Sequence, residues 1–241
     1  MVKCNVISTS AVGGDVTSDV VMSRVARDAL VVEITVGARP GQDHGKAARE
    51  HGLSTIAHHA FPGSDGVIVS PDRHHPEQVL DEVLSIGATF YSLHPAKLDS
   101  MTDLLLWSDL WIEKASQRGI DIAFETMNPV FKQGTVSRQH ALDSGSDVLL
   151  FTEHLIKTPA GILADAAHIL IGLRLGLWEQ WHVEELAATQ KVTAMHVSAP
   201  AALKDSHKPR THDPEVETLC ASLYGSSTTY VIDEGRRTKN G

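Results

Sequence analysis

The chain has 241 residues, 42% hydrophobic and 21% charged, with a formal net charge of −9. That composition suits an ordinary folded domain, and the acidic balance argues against a nucleic-acid partner, which calls for clustered positive charge. No apolar run is long enough for a membrane span or a secretory signal. Cys4 and Cys220 lack C-x-x-C spacing and read as reduced thiols of a cytoplasmic protein.

Taken in order, Lys3 to Ser8 reads as a strand, and Thr17 or Ser18 caps a helix carrying Val20, Val21, Val25 and Leu30. Val31 to Val36 is a second strand with Glu33 inside a β-branched run, followed by a loop with Gly37 and Gly41 and a helix from Lys46 to His51. Leu53 to Ala57 is a third strand ending in His58-His59, and Phe61 to Arg73 is a loop long enough to act as a lid. Helical periodicity from Pro76 to Ile86 stops at Gly87, and Thr89 to Leu93 is a strand ending in His94.

An amphipathic helix from Asp99 to Arg118 leads to a fifth strand, Ile120 to Phe124, which ends in Glu125. A loop with Asn128-Pro129 and Gly134 precedes helical turns from Ser137 to Ile156. Gly161 to Ala164 is a sixth strand ending in Asp165, with His168 three residues on and one helix from Ile169 to about Gln190. Lys191 to Met195 ends in His196, a polar loop spans Lys204 to Pro214, and a helix runs from Glu215 to Leu223. The eighth strand, Thr228 to Asp233, reaches Glu234, and Gly235 to Gly241 is too short and polar to form the eighth helix.

Eight strands alternating with helices in this length predict a single-domain (β/α)8 TIM barrel over residues 1–241, its eighth helix short or missing. Such barrels put catalysis at the C-terminal ends of the strands. The residues arriving there are His58 or His59, His94, Glu125, Asp165 with His168, His196 and Glu234. Period-two alternation lets only one of His58 and His59 point inward, and His58 is preferred.

Each residue also has a bland reading: Glu125 as a charge at a helix N-terminus, Asp165 as a helix cap, His196 as a core histidine, Glu234 as a solvated group. Their shared position at successive strand ends favours one centre. Carboxylate oxygen with imidazole nitrogen suits Mn²⁺, Zn²⁺, Co²⁺ or Fe²⁺. His44, His51, Asp72, His74, His75 and His140 read as solvated.

Gly119-Ile120-Asp121-Ile122-Ala123-Phe124-Glu125, Asp165-Ala166-Ala167-His168, Met195-His196 and Val231-Ile232-Asp233-Glu234 together resemble the xylose-isomerase-like barrels. That family includes sugar isomerases and epimerases and the related apurinic endonucleases. The resemblance implies one divalent metal on Glu125, Asp165, His196 and Glu234. It also implies acid/base roles for Glu125 and Glu234, substrate contact by His168, and the usual second-strand acid at Glu33. The chain departs from the epimerases at Met127-Asn128-Pro129-Val130-Phe131, which lacks their further Glu, and at Ser198-Ala199-Pro200-Ala201-Ala202, which lacks their Arg. Lys204, Lys208 and Arg210 are candidates to replace those contacts. The endonuclease branch uses a larger, His-rich set with three zinc ions, which His58, His94, Asp205 and His207 imitate in part.

The function expected is a metal-dependent isomerase or epimerase of a small sugar-like carbonyl compound. Glu125 and Glu234 would move the proton through a metal-stabilised enediolate, with His168, His94, His58 and Glu33 lining the substrate pocket. The alternative is a multinuclear metallohydrolase acting on a phosphoester. A barrel flank without its eighth helix also predicts a homodimer.

Overall fold

The computed structural model describes residues 2–12, 18–36, 44–59, 76–95, 100–132, 134–137 and 142–235. The apolar runs form β1 (Val6–Ser8), β2 (Val31–Val36), β3 (Ser54–His59), β4 (Phe90–Leu93) and β5 (Asp121–Glu125). After a short hairpin of β6 (Val130–Lys132) and β7 (Thr135–Ser137) come β8 (Gly161–Asp165) and β9 (Val192–Val197). A second hairpin, β10 (Ala199–Ala201) with β11 (Lys204–Lys208), precedes β12 (Tyr230–Asp233). Strands β1-β2-β3-β4-β5-β8-β9-β12 close into a barrel, each paired in parallel with its neighbours. The helices are α1 (Thr9–Val12), α2 (Ser18–Asp28), α3 (His44–Glu50), α4 (Pro76–Ser85), α5 (Met101–Ser116), α6 (Gly145–Leu155), α7 (Ala166–Arg174), α8 (Gln180–Ala188) and α9 (Pro214–Leu223).

Side chains alternate faces along a strand, so residues two apart share the barrel interior. Val6, Ile56, Phe90, Ala123, Leu163, Ala194 and Ile232 form one interior cluster, joined by Val31 and Tyr230. Two residues further along each strand come Ser8, Glu33, His58, Ser92, Glu125, Asp165, His196 and Glu234, all buried. The barrel therefore carries a polar layer on an apolar plug. The intervening residues, such as Val32, Ile34, Tyr91, Ile122, Phe124, Ile162 and Val231, face the helices and make the larger outer cores.

Three expectations need correction. The helical turns expected from Ser137 start later: Ser137 ends β7, and α6 begins at Gly145, where Ser144 Oγ accepts from Asp147 N. The single helix expected from Ile169 to Gln190 is two, α7 and α8, because Gly176 takes φ +71 and lets the chain turn. Trp178 then folds back over Gly172, where a Cβ would lie 2.3 Å from its Cδ1, so the apolar periodicity carries across the break. The polar loop from Lys204 is the outer strand of a hairpin, paired with Ala199–Ala201. The lid at Phe61 to Arg73 lies outside the described residues, as do His140 and residues 236–241, on which the missing eighth helix turns.

Among the described residues no helix is long and apolar enough to cross a membrane. Neither cysteine is in a disulfide. Cys220 is buried in α9, and burial followed by the charge of Glu217 pushes its thiol up to about 12. Native protein should therefore resist alkylation at Cys220 near neutral pH, where almost no thiolate forms, and react there once unfolded. Rapid labelling of Cys220 in the native state, read by peptide mass, would contradict that burial.

Candidate metal centre

Asp165 ends β8 and also caps α7, as its bland reading had it. Its Oδ1 accepts from His168 N at 2.9 Å, and its own N–H donates to Thr126 Oγ1 at 3.0 Å. Oδ2 is left buried, without a hydrogen-bond partner among the described residues. It points to the same place as three other strand ends. His196 Nδ1 lies 3.2 Å from Glu234 Oε2, 3.8 Å from Glu125 Oε1 and 3.8 Å from Asp165 Oδ2. One ring nitrogen thus faces one oxygen from each of three carboxylates, every group buried.

The histidines of the preceding strands reach Glu125 from its other side. His94 Nε2 is 3.0 Å and His58 Nε2 3.5 Å from Glu125 Oε2. A third group hangs from the hairpin: Asp205 Oδ2 is 3.3 Å from His168 Nε2 and 3.2 Å from His207 Nε2, and His207 Nδ1 is 3.4 Å from Glu234 Oε2. His207 sits at φ +44 and the hairpin turn residue Ala202 at φ +55, unusual for residues with a Cβ. Arg174 fastens the hairpin from outside, donating to the Ala202 carbonyl, Asp213 and Glu215.

The partners of the histidines fix which nitrogen faces the centre. A carbonyl only accepts, so His168 Nδ1 donates to Thr126 O at 2.7 Å, leaving Nε2 toward Asp205. A carboxylate only accepts, so His196 Nε2 donates to Glu33 Oε1 at 2.9 Å, leaving Nδ1 toward the three carboxylates. Ser92 Oγ donates to the Ala57 carbonyl and accepts from His58 Nδ1 at 2.9 Å, leaving Nε2 toward Glu125. Burial, only partly opposed by Glu125 and Glu33, lowers His58 to about 3, so this ring is neutral. Its lone pair and the Glu125 carboxylate face each other, an arrangement that a cation between them relieves.

Charge elsewhere in the layer tells the same story. Burial pulls His168 down, but Asp165, Asp205 and Glu125 outweigh it and raise it to about 10. Burial likewise opposes, and Glu234 and Glu33 overcome it, in raising His196 well above its usual value. The carboxylates of Asp205 and Glu234 on either side of its ring push His207 up to about 11. Burial raises the Asp165 carboxyl to about 6 against the pull of His168. The carboxylates thus favour protonated rings at His168, His196 and His207, and a divalent ion entering the layer would take the place of those protons and use the freed ring nitrogens together with the carboxylate oxygens.

Solved structures of similar shape share this barrel. A D-tagatose 3-epimerase-like protein matches with a TM-score of 0.66 at 15% identity, over 99% of this chain and 92% of the other. A 3-keto-D-glucoside 4-epimerase from E. coli matches at 0.62 and 14%, over 98% and 94%. An AP endonuclease of family 2 from Brucella melitensis matches at 0.67 and 10%, over 98% and 95%. What the chain shares with these structures, at identities of 15% or less, is the fold, a closed barrel of eight parallel strands. No family model and no curated protein matches the sequence.

Of the residues expected at the mouth, Glu125, Asp165 and Glu234 each bring one oxygen within 3.8 Å of His196 Nδ1, and His58, His94 and His168 lie within 3.5 Å of Glu125. Of the side chain of His59 nothing is described. Glu33 stands behind His196. His51 instead pairs with Asp19 at the surface, 2.8 Å away. Ser92 and Thr126 were not anticipated. Ser92 stands two residues before His94, a spacing that offered a signal, whereas Thr126 orients the His168 ring through its backbone carbonyl, which no residue type reveals.

Proposed function

We propose that this chain is a metal-dependent hydrolase of small phosphoesters whose centre holds more than one divalent ion. The observation that carries the reading is the placement of Glu125, whose Oε1 lies toward His168 and His196 while Oε2 lies toward His58 and His94. A carboxylate with ring nitrogens on both sides suits a bridging ligand. It suits less well a base that must reach a substrate C–H. Glu125, Asp165, His196 and Glu234 would hold one ion, His58 and His94 with Glu125 a second, and His168, Asp205 and His207 a third.

Ions held there would supply Lewis acidity, sharpening a water as nucleophile and offsetting charge on phosphoryl oxygens. The chain's own contribution is rigidity: ring orientations are set by Glu33, Ser92 and Thr126, and the plug beneath keeps the layer from collapsing. The acidic net charge favours a small substrate over a polymer.

A second reading is an isomerase or epimerase of a sugar-like carbonyl compound, with one ion on the quartet and Glu125 and Glu234 removing and returning the proton. It is favoured by the quartet itself and by the similarity in shape to proteins described as sugar epimerases. Metal analysis of purified protein separates the two. Two or three ions per chain, with turnover of bis(4-nitrophenyl) phosphate lost on chelation and restored by Mn²⁺, Zn²⁺, Co²⁺ or Fe²⁺, is the expected result. A single ion per chain, with solvent deuterium entering a ketose and no phosphoester turnover, would replace the hydrolase with the isomerase.

A further inference from the structure

We propose that Glu33 is a positioning residue of this centre, not a substrate contact: its carboxylate holds the His196 ring so that Nδ1 faces Glu125, Asp165 and Glu234. What that orientation is for rests on the metal reading above; the hold itself does not.

Glu33 lies on β2 and His196 on β9, with β1 and β12 between them in the barrel wall, so their 2.9 Å bond crosses the interior. Both side chains are enclosed, Glu33 wholly so. Glu33 Oε2 has no hydrogen-bond partner among the described residues. A carboxylate placed there carries a desolvation cost that a neutral acceptor would avoid.

His58 is held by the hydroxyl of Ser92 and His168 by the carbonyl of Thr126, both neutral acceptors. Only His196, whose free nitrogen faces three carboxylate oxygens, is held by a charged group among these three. An anionic acceptor on one ring nitrogen increases the basicity of the other, so His196 is oriented and made the stronger donor at once. The rival role is direct ligation, because Glu33, His58 and His196 each offer an atom within 4.8 Å of the others.

The test uses the full chain labelled with ¹⁵N at histidine, as wild type, Glu33→Ala and Glu33→Gln, with zinc as probe. In zinc-loaded wild type, His196 Nε2 should give a protonated, slowly exchanging N–H signal. Glu33→Ala should lose that protected signal and bind the quartet zinc on the order of 10- to 100-fold more weakly, with an unchanged number of zinc ions at saturation. Glu33→Gln keeps an oxygen acceptor without the charge, so it should keep the N–H signal and recover part of the affinity. It also covers the case in which the alanine variant does not fold. Loss of one whole zinc ion in both variants would make Glu33 a ligand and overturn the proposal, as would a His196 signal and zinc affinity that ignore both substitutions. If wild type binds no zinc, the metal reading fails. The His196 N–H signal of the metal-free chain then still decides the contact: its loss in Glu33→Ala upholds the hold, and its persistence ends it.

Discussion

Glu125→Gln should fold like the parent, bind at least one divalent ion fewer, and lose phosphoester turnover on the order of 100-fold or more. Loss of an outer partner of a metal ligand alone costs about 10- to 100-fold, and Glu125 is the group whose two oxygens serve two sets of histidines. An amide presents one oxygen and one N–H donor, so it cannot bridge as a carboxylate does. Fold should survive because Glu125 belongs to the polar layer and the plug below it does not change. Circular dichroism, metal analysis and initial rates on the same preparation read all three. Full metal content with most of the turnover intact would remove Glu125 from the centre.

Phe124→Ala, one residue earlier, should do the reverse. Phe124 faces out of the barrel, fully buried, with ring centroids 5.2 Å from Phe151 and 5.7 Å from Trp107. It joins the strand wall to α5 and α6. Truncating a buried Phe costs about 3–5 kcal/mol, part transfer energy and part residual cavity. That is a large share of the ~5–15 kcal/mol by which domains are usually stable. Urea unfolding should show the midpoint falling steeply, while protein kept cold and without urea retains its metal content. A change near zero would mean that this core layer is loosely packed. Adjacent residues of one strand thus separate chemistry from stability.

The barrel and the strand-end residues were legible because both follow from period-two alternation. Ala123 and Glu125, Leu163 and Asp165, Ala194 and His196, Ile232 and Glu234 repeat one pattern, an apolar residue and a buried acid or histidine two places on. The hairpin was not legible as structure. Lys204-Asp205-Ser206-His207-Lys208 has no apolar face, and its strand form depends on pairing with Ala199–Ala201 and on the positive φ of Ala202 and His207. Asp205 and His207 could be suspected from their residue types, but not placed against His168 and Glu234. The break between α7 and α8 was hidden because Trp178 returns to Gly172 and keeps the helical spacing of apolar residues going. The acceptors that orient the rings were least visible, since a backbone carbonyl leaves no trace in the sequence.

The apolar plug beneath the polar layer also bears on how such a chain changes over generations. Strand pairing, plug and outer cores are settled below the mouth or behind it, so a substitution in the upper ring alters chemistry without re-registering a strand. The ring is even a burden on the folded state, because it encloses charges that water would otherwise solvate. Replacing Asp165 or Glu33 alone would not lift that burden, because the first caps α7 and the second holds the buried ring of His196; only an exchange of several ring residues together would leave a barrel freed of its buried charges. Such a scaffold can lose one reaction, persist for its stability, and be refitted with another set of strand-end residues.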